Sequence, residues 1–137
     1  MQVPRTESSS EPSGISVLIV EDDEDSRDML SELVTMLGYS PLGAANAAEA
    51  LHHMQKSQPN VALIDIGLPE VDGCEVARRL RASTGGDAIR LVALTGYSDG
   101  PTRETAAAAG FDDFVVKPVL PETLDALLRR AGGRGNG

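Results

Sequence analysis

The stretch that decides the fold is VALIDIGLP, residues 61–69. Its apolar residues run straight into Asp65, and a glycine and a proline follow shortly after. An apolar run without polar alternation predicts a strand buried on both faces, as in a parallel sheet. A carboxylate at the carboxyl end of such a strand lies where open α/β sheets place their chemistry. Asp65 is therefore the first candidate for a reactive residue.

Composition limits the classes of protein to which the chain can belong. The 137 residues are 41% hydrophobic, 24% charged and only 3% aromatic, which suits one domain with an aliphatic core. The net charge of −9 argues against direct nucleic-acid binding. A single cysteine, Cys74, excludes an intrachain disulfide. Because no segment has the length of a membrane span or the apolar core of a signal peptide, we expect a soluble, cytoplasmic chain.

The two ends of the chain differ in composition from its middle. Residues 1–14 are rich in Ser, Glu and Pro and predict a disordered leader or linker. Residues 132–137, GGRGNG, predict a flexible tail. The folded domain is therefore expected over residues 15–131.

Strand and helix signals alternate through this domain. Apolar runs predict strands at residues 15–20, 61–65, 89–94 and 113–116, and a weaker strand is predicted at residues 39–44. Helical spacing of apolar residues predicts helices at residues 25–37, 47–56, 73–82, 101–109 and 121–131. Pro41 places the second strand at a sheet edge, because proline cannot donate to a ladder. Right-handed crossovers of this kind build a parallel sheet covered on both faces.

Several local features refine these helices. Asp25 or Ser26 is expected to cap the first helix, and Asn46 the second. Met29 lies on the apolar stripe of the first helix, at helical spacing from the residues expected in the core. The third helix is expected to expose its arginines, including Arg81.

Polar residues follow four of the five predicted strands. They are Glu21 and Asp22, then Asp65, Thr95 and Lys117. The carboxyl ends of parallel strands share one edge, and neighbouring strands are about 4.8 Å apart. If the first and third strands are neighbours, their carboxylates repel unless one is protonated or a cation joins them. Oxygen donors alone select a hard ion such as Mg²⁺.

These residue types together indicate phosphoryl transfer. A bound Mg²⁺ would orient a phosphoryl group and offset its charge. Lys117 supplies a mobile positive charge, and the Thr95 hydroxyl can donate to a phosphoryl oxygen. Asp65 is a competent nucleophile for forming an aspartyl phosphate. Each residue alone has an ordinary explanation as a cap, a turn residue or a surface charge, so the evidence lies in their shared register.

Four motifs resemble the receiver domain of two-component response regulators. They are VEDD at residues 20–23, DIGLPEVDG at 65–73, LTG at 94–96 and VKP at 116–118. The resemblance covers the whole predicted domain. It implies an α/β, flavodoxin-like (βα)5 fold: a single doubly wound parallel sheet with strand order 2-1-3-4-5.

The resemblance also implies a role for each matched residue. Asp65 would accept the phosphoryl group. Mg²⁺, for which Mn²⁺ could substitute, would be held by Asp65, by Asp22 directly, by Glu21 through water, and by the Gly67 backbone carbonyl. Gly67 and Tyr97 would modulate the rate in opposite directions, so no phosphoryl lifetime is predicted.

A second set of implied roles concerns the readout. Thr95 and Lys117 would bind the phosphoryl group, and the Lys117-Pro118 peptide would be cis. Phe114 matches the aromatic switch position that is coupled to Thr95. It lacks a hydroxyl, so the switch would depend on packing.

The function expected from these residues is a phospho-accepting receiver rather than an enzyme acting on separate substrates. A histidine kinase or histidine phosphotransfer domain would donate, and a downstream protein would bind the face of helix four, strand five and helix five. A homodimer formed on phosphorylation is compatible with this expectation. The leader and the DIGLP and LTGYSD segments resemble hybrid histidine kinases, which favours a receiver within such a kinase over a stand-alone regulator.

Two alternatives come from other classes. The first is a protein-binding module with the same fold that is never phosphorylated. The second is a dehalogenase-like phosphatase, but that family places an aspartate two residues after the nucleophile, where this chain has Gly67. The sequence does not name the kinase, signal, target or oligomeric state.

Overall fold

The computed structural model describes residues 15–66, 73–83, 86, 88–96 and 100–136. The expected leader, Gly67 and Tyr97 lie outside these residues. Within them, no helix is both long and apolar enough to cross a membrane.

A parallel sheet of five strands, in the order β2-β1-β3-β4-β5, forms the centre of the molecule. The strands are β1 Ser16–Val20, β2 Ser40–Ala44, β3 Val61–Asp65, β4 Arg90–Thr95 and β5 Asp113–Val116. The predicted strand order is confirmed, with the Pro41-containing strand at one edge. The structure confirms the flavodoxin-like fold expected from the sequence.

Helices connect the strands and cover both faces of the sheet. They are α1 Glu24–Met36, α2 Ala47–Ser57, α3 Gly73–Ala82, α4 Gly100–Ala109 and α5 Pro121–Asn136. One core packs α1 and α5 against the sheet, with Val34 and Leu124 fully buried. The other packs α2, α3 and the end of α4, with Met54 and Leu80 at its centre. Successive strand residues such as Leu18 and Ile19 belong to opposite cores, which explains the unbroken apolar runs.

The register brings the polar strand ends to one edge. Val20 pairs with Ile64 between β1 and β3, so Glu21 lies level with Asp65. Asp65 pairs with Leu94 between β3 and β4, one residue before Thr95.

The beginning of α1 differs from its prediction. The N-cap is Asp23, whose side chain accepts from the Ser26 N–H at 2.9 Å, rather than Asp25 or Ser26. The helix therefore begins within the acidic run, where Glu24 and Asp25 complement the positive end of the helix dipole. Met29 is 58% exposed, because the part of α1 that contacts the sheet is narrower than the apolar stripe of its sequence. The Asn46 cap of α2 is confirmed by a 2.9 Å bond from the Glu49 N–H.

The prediction that Arg81 is an exposed surface residue is wrong. Its guanidinium donates to the carbonyls of Gly86, Ile89 and Gly110, and to the Asp112 carboxylate at 2.7 Å. It thereby ties the end of α3 to the segments that enter β4 and β5. Sequence periodicity counted only its position on the helix and not the carbonyls that other segments bring to it.

The last helix continues to Asn136 rather than ending at residue 131. Residues 132–136, expected as a flexible tail, therefore have helical backbone despite three glycines. Each added residue costs little once a helix is nucleated, and the buried residues of α5 provide that nucleus.

Candidate functional site

The acidic loop, residues 21–23, lies at the carboxyl end of β1. The Glu21 N–H donates to the Ala44 carbonyl at 3.0 Å, which ties the loop to the edge strand. The Asp23 N–H donates to the Glu21 carboxylate at 3.3 Å, and Asp23 itself caps α1. Both Glu21 and Asp22 are therefore held just where the strand gives way to the helix.

Three carboxylates converge in front of this edge. Oxygens of Glu21, Asp22 and Asp65 all lie within 4.8 Å of one another. Glu21 is 3% exposed, whereas Asp22 is on the surface. The donors are all oxygens, they are close enough for one ion to bridge, and they carry more negative charge than one lysine can offset. This donor set fits a small, hard divalent cation such as Mg²⁺.

Lys117 brings the only positive charge that is seen to contact these carboxylates in the described part of the chain. Its Nζ lies 3.2 Å from Asp65 and 3.3 Å from Glu21. The Lys117 N–H donates to the Thr95 carbonyl at 2.7 Å, and the Lys117-Pro118 peptide is cis, as expected. The backbone at the end of β5 thus directs the ammonium towards Asp65.

The environment raises the pKa of both Glu21 and Lys117, which disfavours the charged form of the glutamate and favours that of the lysine. Burial, reinforced by the nearby Asp65 charge, raises the pKa of Glu21, although the Asp23 amide and Lys117 pull it the other way. Burial alone would lower the pKa of Lys117, but its contact with Asp65 and the charge of Glu21 outweigh that effect and raise it. Lys117 therefore keeps its positive charge at neutral pH, whereas burial makes ionisation of Glu21 less favourable.

Thr95 and Phe114, which the sequence predicts to form the readout, lie on the neighbouring strands β4 and β5. Thr95 is 3% exposed at the end of β4, and Val116 of β5 is its register partner. Phe114 is half-buried, and the Arg103 guanidinium of α4 lies 4.7 Å from the centre of its ring. This is a cation–π distance. Arg103 was not singled out in the sequence, because its contact depends on how α4 lies against β5.

The first residue of α3, Gly73, packs closely against the backbone of Asp65 and Ile66. A Cβ on Gly73, the first residue of α3, would lie 2.5 Å from the Ile66 Cα and 2.6 Å from the Asp65 carbonyl oxygen. No side chain fits there, so only glycine lets α3 begin this close to the end of β3.

Sequence reasoning also missed Arg27, one helical turn after the Asp23 cap. Its guanidinium donates to the Glu21 carbonyl at 2.9 Å and reaches the Asp22 carbonyl at 3.5 Å. A basic residue one turn beyond an acidic loop was the available signal, but it is a weak one without the fold.

Residues 17–129 match the family described as the response regulator receiver domain. An uncharacterized 14.6 kDa protein of Leptolyngbya boryana is 34% identical over 116 residues, covering 85% of this chain and 88% of that protein. The transcriptional regulatory protein AfsQ1 of Streptomyces coelicolor is also 34% identical, over 88% of this chain but 52% of its own length. The chain thus spans about half of such transcriptional regulators.

Solved structures show the same relationship. The chemotaxis protein CheY4 of Vibrio cholerae superposes with a TM-score of 0.81 at 30% identity, covering 85% of this chain and 98% of that one. The receiver domain of a Pseudomonas aeruginosa sensor histidine kinase, with magnesium coordinated in its active-site cleft, gives 0.79 at 28% identity, covering 87% and 98%. Taken with the strand order and the carboxylate–lysine cluster, these matches show that the chain belongs to the response regulator receiver domain family.

Proposed function

We propose that this receiver accepts a phosphoryl group on Asp65 from a phosphohistidine in a divalent-cation-dependent reaction. The observation that best supports this proposal is the arrangement around Asp65. Its carboxylate lies within 4.8 Å of those of Glu21 and Asp22, and the Lys117 ammonium lies 3.2 Å away. An Asp65 oxygen would form the bond to phosphorus as the phosphorus–nitrogen bond breaks, and the electron pair would stay on the imidazole. Atoms and charge balance without another reactant.

The chain's own residues divide the work of this transfer. Lys117, protonated at neutral pH because its pKa is raised, offsets the charge of the incoming phosphoryl oxygens. The Thr95 hydroxyl would donate to one of those oxygens. Glu21 and Asp22, with Asp65, would hold Mg²⁺ or Mn²⁺, and the ion would offset the negative charge of the phosphoryl oxygens. Gly67 and Tyr97 would adjust the rate.

The proposed consequence is a change of the α4–β5–α5 face. Phosphorylation would draw Thr95 towards the phosphoryl group and let Phe114 move inward, away from Arg103. That is a population shift between two packed arrangements. The face would then bind a downstream protein or a second copy of the chain.

The decisive experiment is phosphorylation by a small donor, acetyl phosphate, with and without Mg²⁺. Intact mass and hydroxylamine sensitivity report an aspartyl phosphate. We expect labelling of the wild type in Mg²⁺, none in chelator, and none for Asp65→Asn. The matched control is Asp28→Asn, an exposed aspartate on α1, which should label fully. Labelling of Asp65→Asn at the wild-type level would show that the acceptor assignment is wrong.

The same material separates this proposal from a module that binds without phosphorylation. Beryllium fluoride with Mg²⁺ mimics a phosphoryl group on an aspartate. We expect it to shift the amide resonances of Thr95 and Phe114. Unchanged resonances at these residues would favour the non-phosphorylated module.

The wider context is also a proposal. The resemblance of the leader to a kinase linker favours a hybrid histidine kinase, and a stand-alone regulator is the second possibility. The reading frame upstream of residue 1 distinguishes them. On either account the receiver assists its own phosphorylation, does not turn over a separate substrate, and acts in the cytoplasm with a histidine kinase or phosphotransfer domain.

A further inference from the structure

Arg27 contacts the backbone of the acidic loop rather than its carboxylates. One guanidinium nitrogen, Nη1, donates to the Glu21 carbonyl at 2.9 Å and lies 3.5 Å from the Asp22 carbonyl. The first contact is a good hydrogen bond, and the second is at the limit of one. Both carbonyls belong to residues whose side chains line the candidate metal site.

The backbone of Glu21 is held from two elements of the fold. The Glu21 N–H bonds to Ala44 of β2 at 3.0 Å, so Arg27 supplies the opposing bond to the same residue from α1. A residue held at both its N–H and its carbonyl has little freedom in the backbone dihedrals on either side of its Cα. The direction in which the Glu21 and Asp22 side chains leave the backbone is thereby set.

The stem of Arg27 reaches the loop across a glycine. A Cβ on Gly43 of β2 would lie 3.4 Å from the Arg27 Cδ and 3.6 Å from its Cγ. Alanine would just fit, but the branched atoms of valine would extend into the stem. Gly43 therefore provides the space along which Arg27 lies.

We propose that Arg27 is a positioning residue for the divalent cation: it orients the Glu21 and Asp22 ligands by holding their backbone carbonyls, with Gly43 as the space that admits it. The proposal rests on the proposed function, because it requires that these carboxylates bind a cation. The positioning effect of Arg27 on cation binding is opposite to the effect of its positive charge. A guanidinium near a cation site repels the cation, so charge alone would weaken binding, whereas positioning strengthens it.

Arg27→Met tests whether Arg27 strengthens or weakens Mg²⁺ binding. Methionine keeps an apolar stem over Gly43 and removes both the hydrogen-bond donors and the charge. Mg²⁺ is titrated into the whole chain while the amide resonances of residues 21–23 are followed. We expect the Kd for Mg²⁺ to rise about tenfold, the size usual for loss of a group that orients metal ligands. Urea unfolding of both proteins in chelator shows whether the variant also loses stability, so that a weaker fold is not taken for weaker Mg²⁺ binding. The matched control is Arg78→Met, whose exposed side chain pairs with Glu75 and should leave the Kd unchanged.

Gly43→Val tests the same geometry with every donor in place. We expect it to weaken Mg²⁺ binding severalfold in the wild-type background, and to have no further effect on the Kd in Arg27→Met. This non-additivity is what a shared mechanism predicts.

The outcomes discriminate clearly. If the wild type binds Mg²⁺ and the Kd of Arg27→Met is unchanged or lower, the positioning role is overturned and the proposed function is not. Equal effects of Gly43→Val in both backgrounds would also overturn it. A wild-type chain that does not bind Mg²⁺ would remove the proposed function together with this inference.

Discussion

At the scale of single residues, Glu21 is a carboxyl group that the fold removes almost completely from water. Its pKa is raised in the folded state, chiefly by burial, so the folded state retains a proton that the unfolded state has already released. The free energy of unfolding must therefore fall as the pH rises through that raised pKa. Lys117 acts elsewhere on the pH scale, because its raised pKa preserves its stabilisation until strongly alkaline pH.

We expect Glu21→Gln to flatten the decline in stability between the ordinary glutamate pKa and neutral pH. Urea unfolding in chelator across that range measures it. Glu75→Gln is the opposite control: Arg79 and Arg78 lower the pKa of Glu75, so its stabilisation is lost as the pH falls. A Glu21→Gln profile parallel to that of the wild type would contradict the assignment of the buried charge.

The Arg103–Phe114 contact gives a second prediction at this scale. A guanidinium that is exposed to water, as that of Arg103 is, contributes about 0.5–1 kcal/mol when it lies over an aromatic ring. Arg103→Gln should therefore raise the population of inward Phe114 rotamers in the unphosphorylated chain about two- to fivefold, measured from side-chain NMR couplings. Arg129→Gln removes an exposed arginine of α5 that pairs with Asp125, and should leave the ring unchanged. Identical rotamer populations in Arg103→Gln and wild type would show that Arg103 does not hold the ring.

At the scale of elements, Arg81 joins three segments that the sequence keeps apart. Its donors satisfy carbonyls at the entries to β4 and β5, and its ion pair with Asp112 is largely shielded from water. Removing the side chain would leave these carbonyls without their donor.

Arg81→Met should lower the free energy of unfolding by about 2–3 kcal/mol. Arg79→Met, two positions earlier on the same helix, loses only an exposed pair with Glu75 and should cost at most about 0.5 kcal/mol. Urea denaturation of both variants gives the comparison. Equal losses would mean that the network around Arg81 adds nothing beyond a surface ion pair.

At the scale of the whole molecule, one sheet divides two cores. Met54 of α2 lies in one and Leu124 of α5 in the other, and both are almost fully buried. Because the two residues pack on opposite faces of the same sheet, their truncations should change the free energy of unfolding independently. The domain should still unfold as one unit, because both cores use the same strands.

Met54→Ala and Leu124→Ala should each cost about 2–5 kcal/mol. The double variant should lose their sum within about 0.5 kcal/mol, and fluorescence-independent probes such as far-UV circular dichroism and NMR should report one transition. A biphasic transition, or a double variant far from additive, would contradict this view of two cores on one cooperative sheet.

The sequence by itself determined the alternation of strands and helices, the edge position of β2, the Asn46 cap and which polar residues follow the strands. These features follow from local rules: side-chain periodicity, proline chemistry, capping residues, and polar residues where apolar strands end. Once the strands are parallel, such residues share an edge without further information. That Glu21, Asp22, Asp65 and Lys117 lie close together could therefore be expected from the chain alone.

Only the tertiary structure decided which groups contact one another. Glu21 and Lys117 are 96 residues apart in sequence, yet lie 3.3 Å apart. Arg81 is tied to carbonyls on other segments, and the stem of Arg27 crosses Gly43. Hydrogen bonds and ion pairs act over a few ångströms, whereas sequence patterns report only which face of an element is apolar. The positions of charges around Asp65 thus depend on how the helices lie across the sheet.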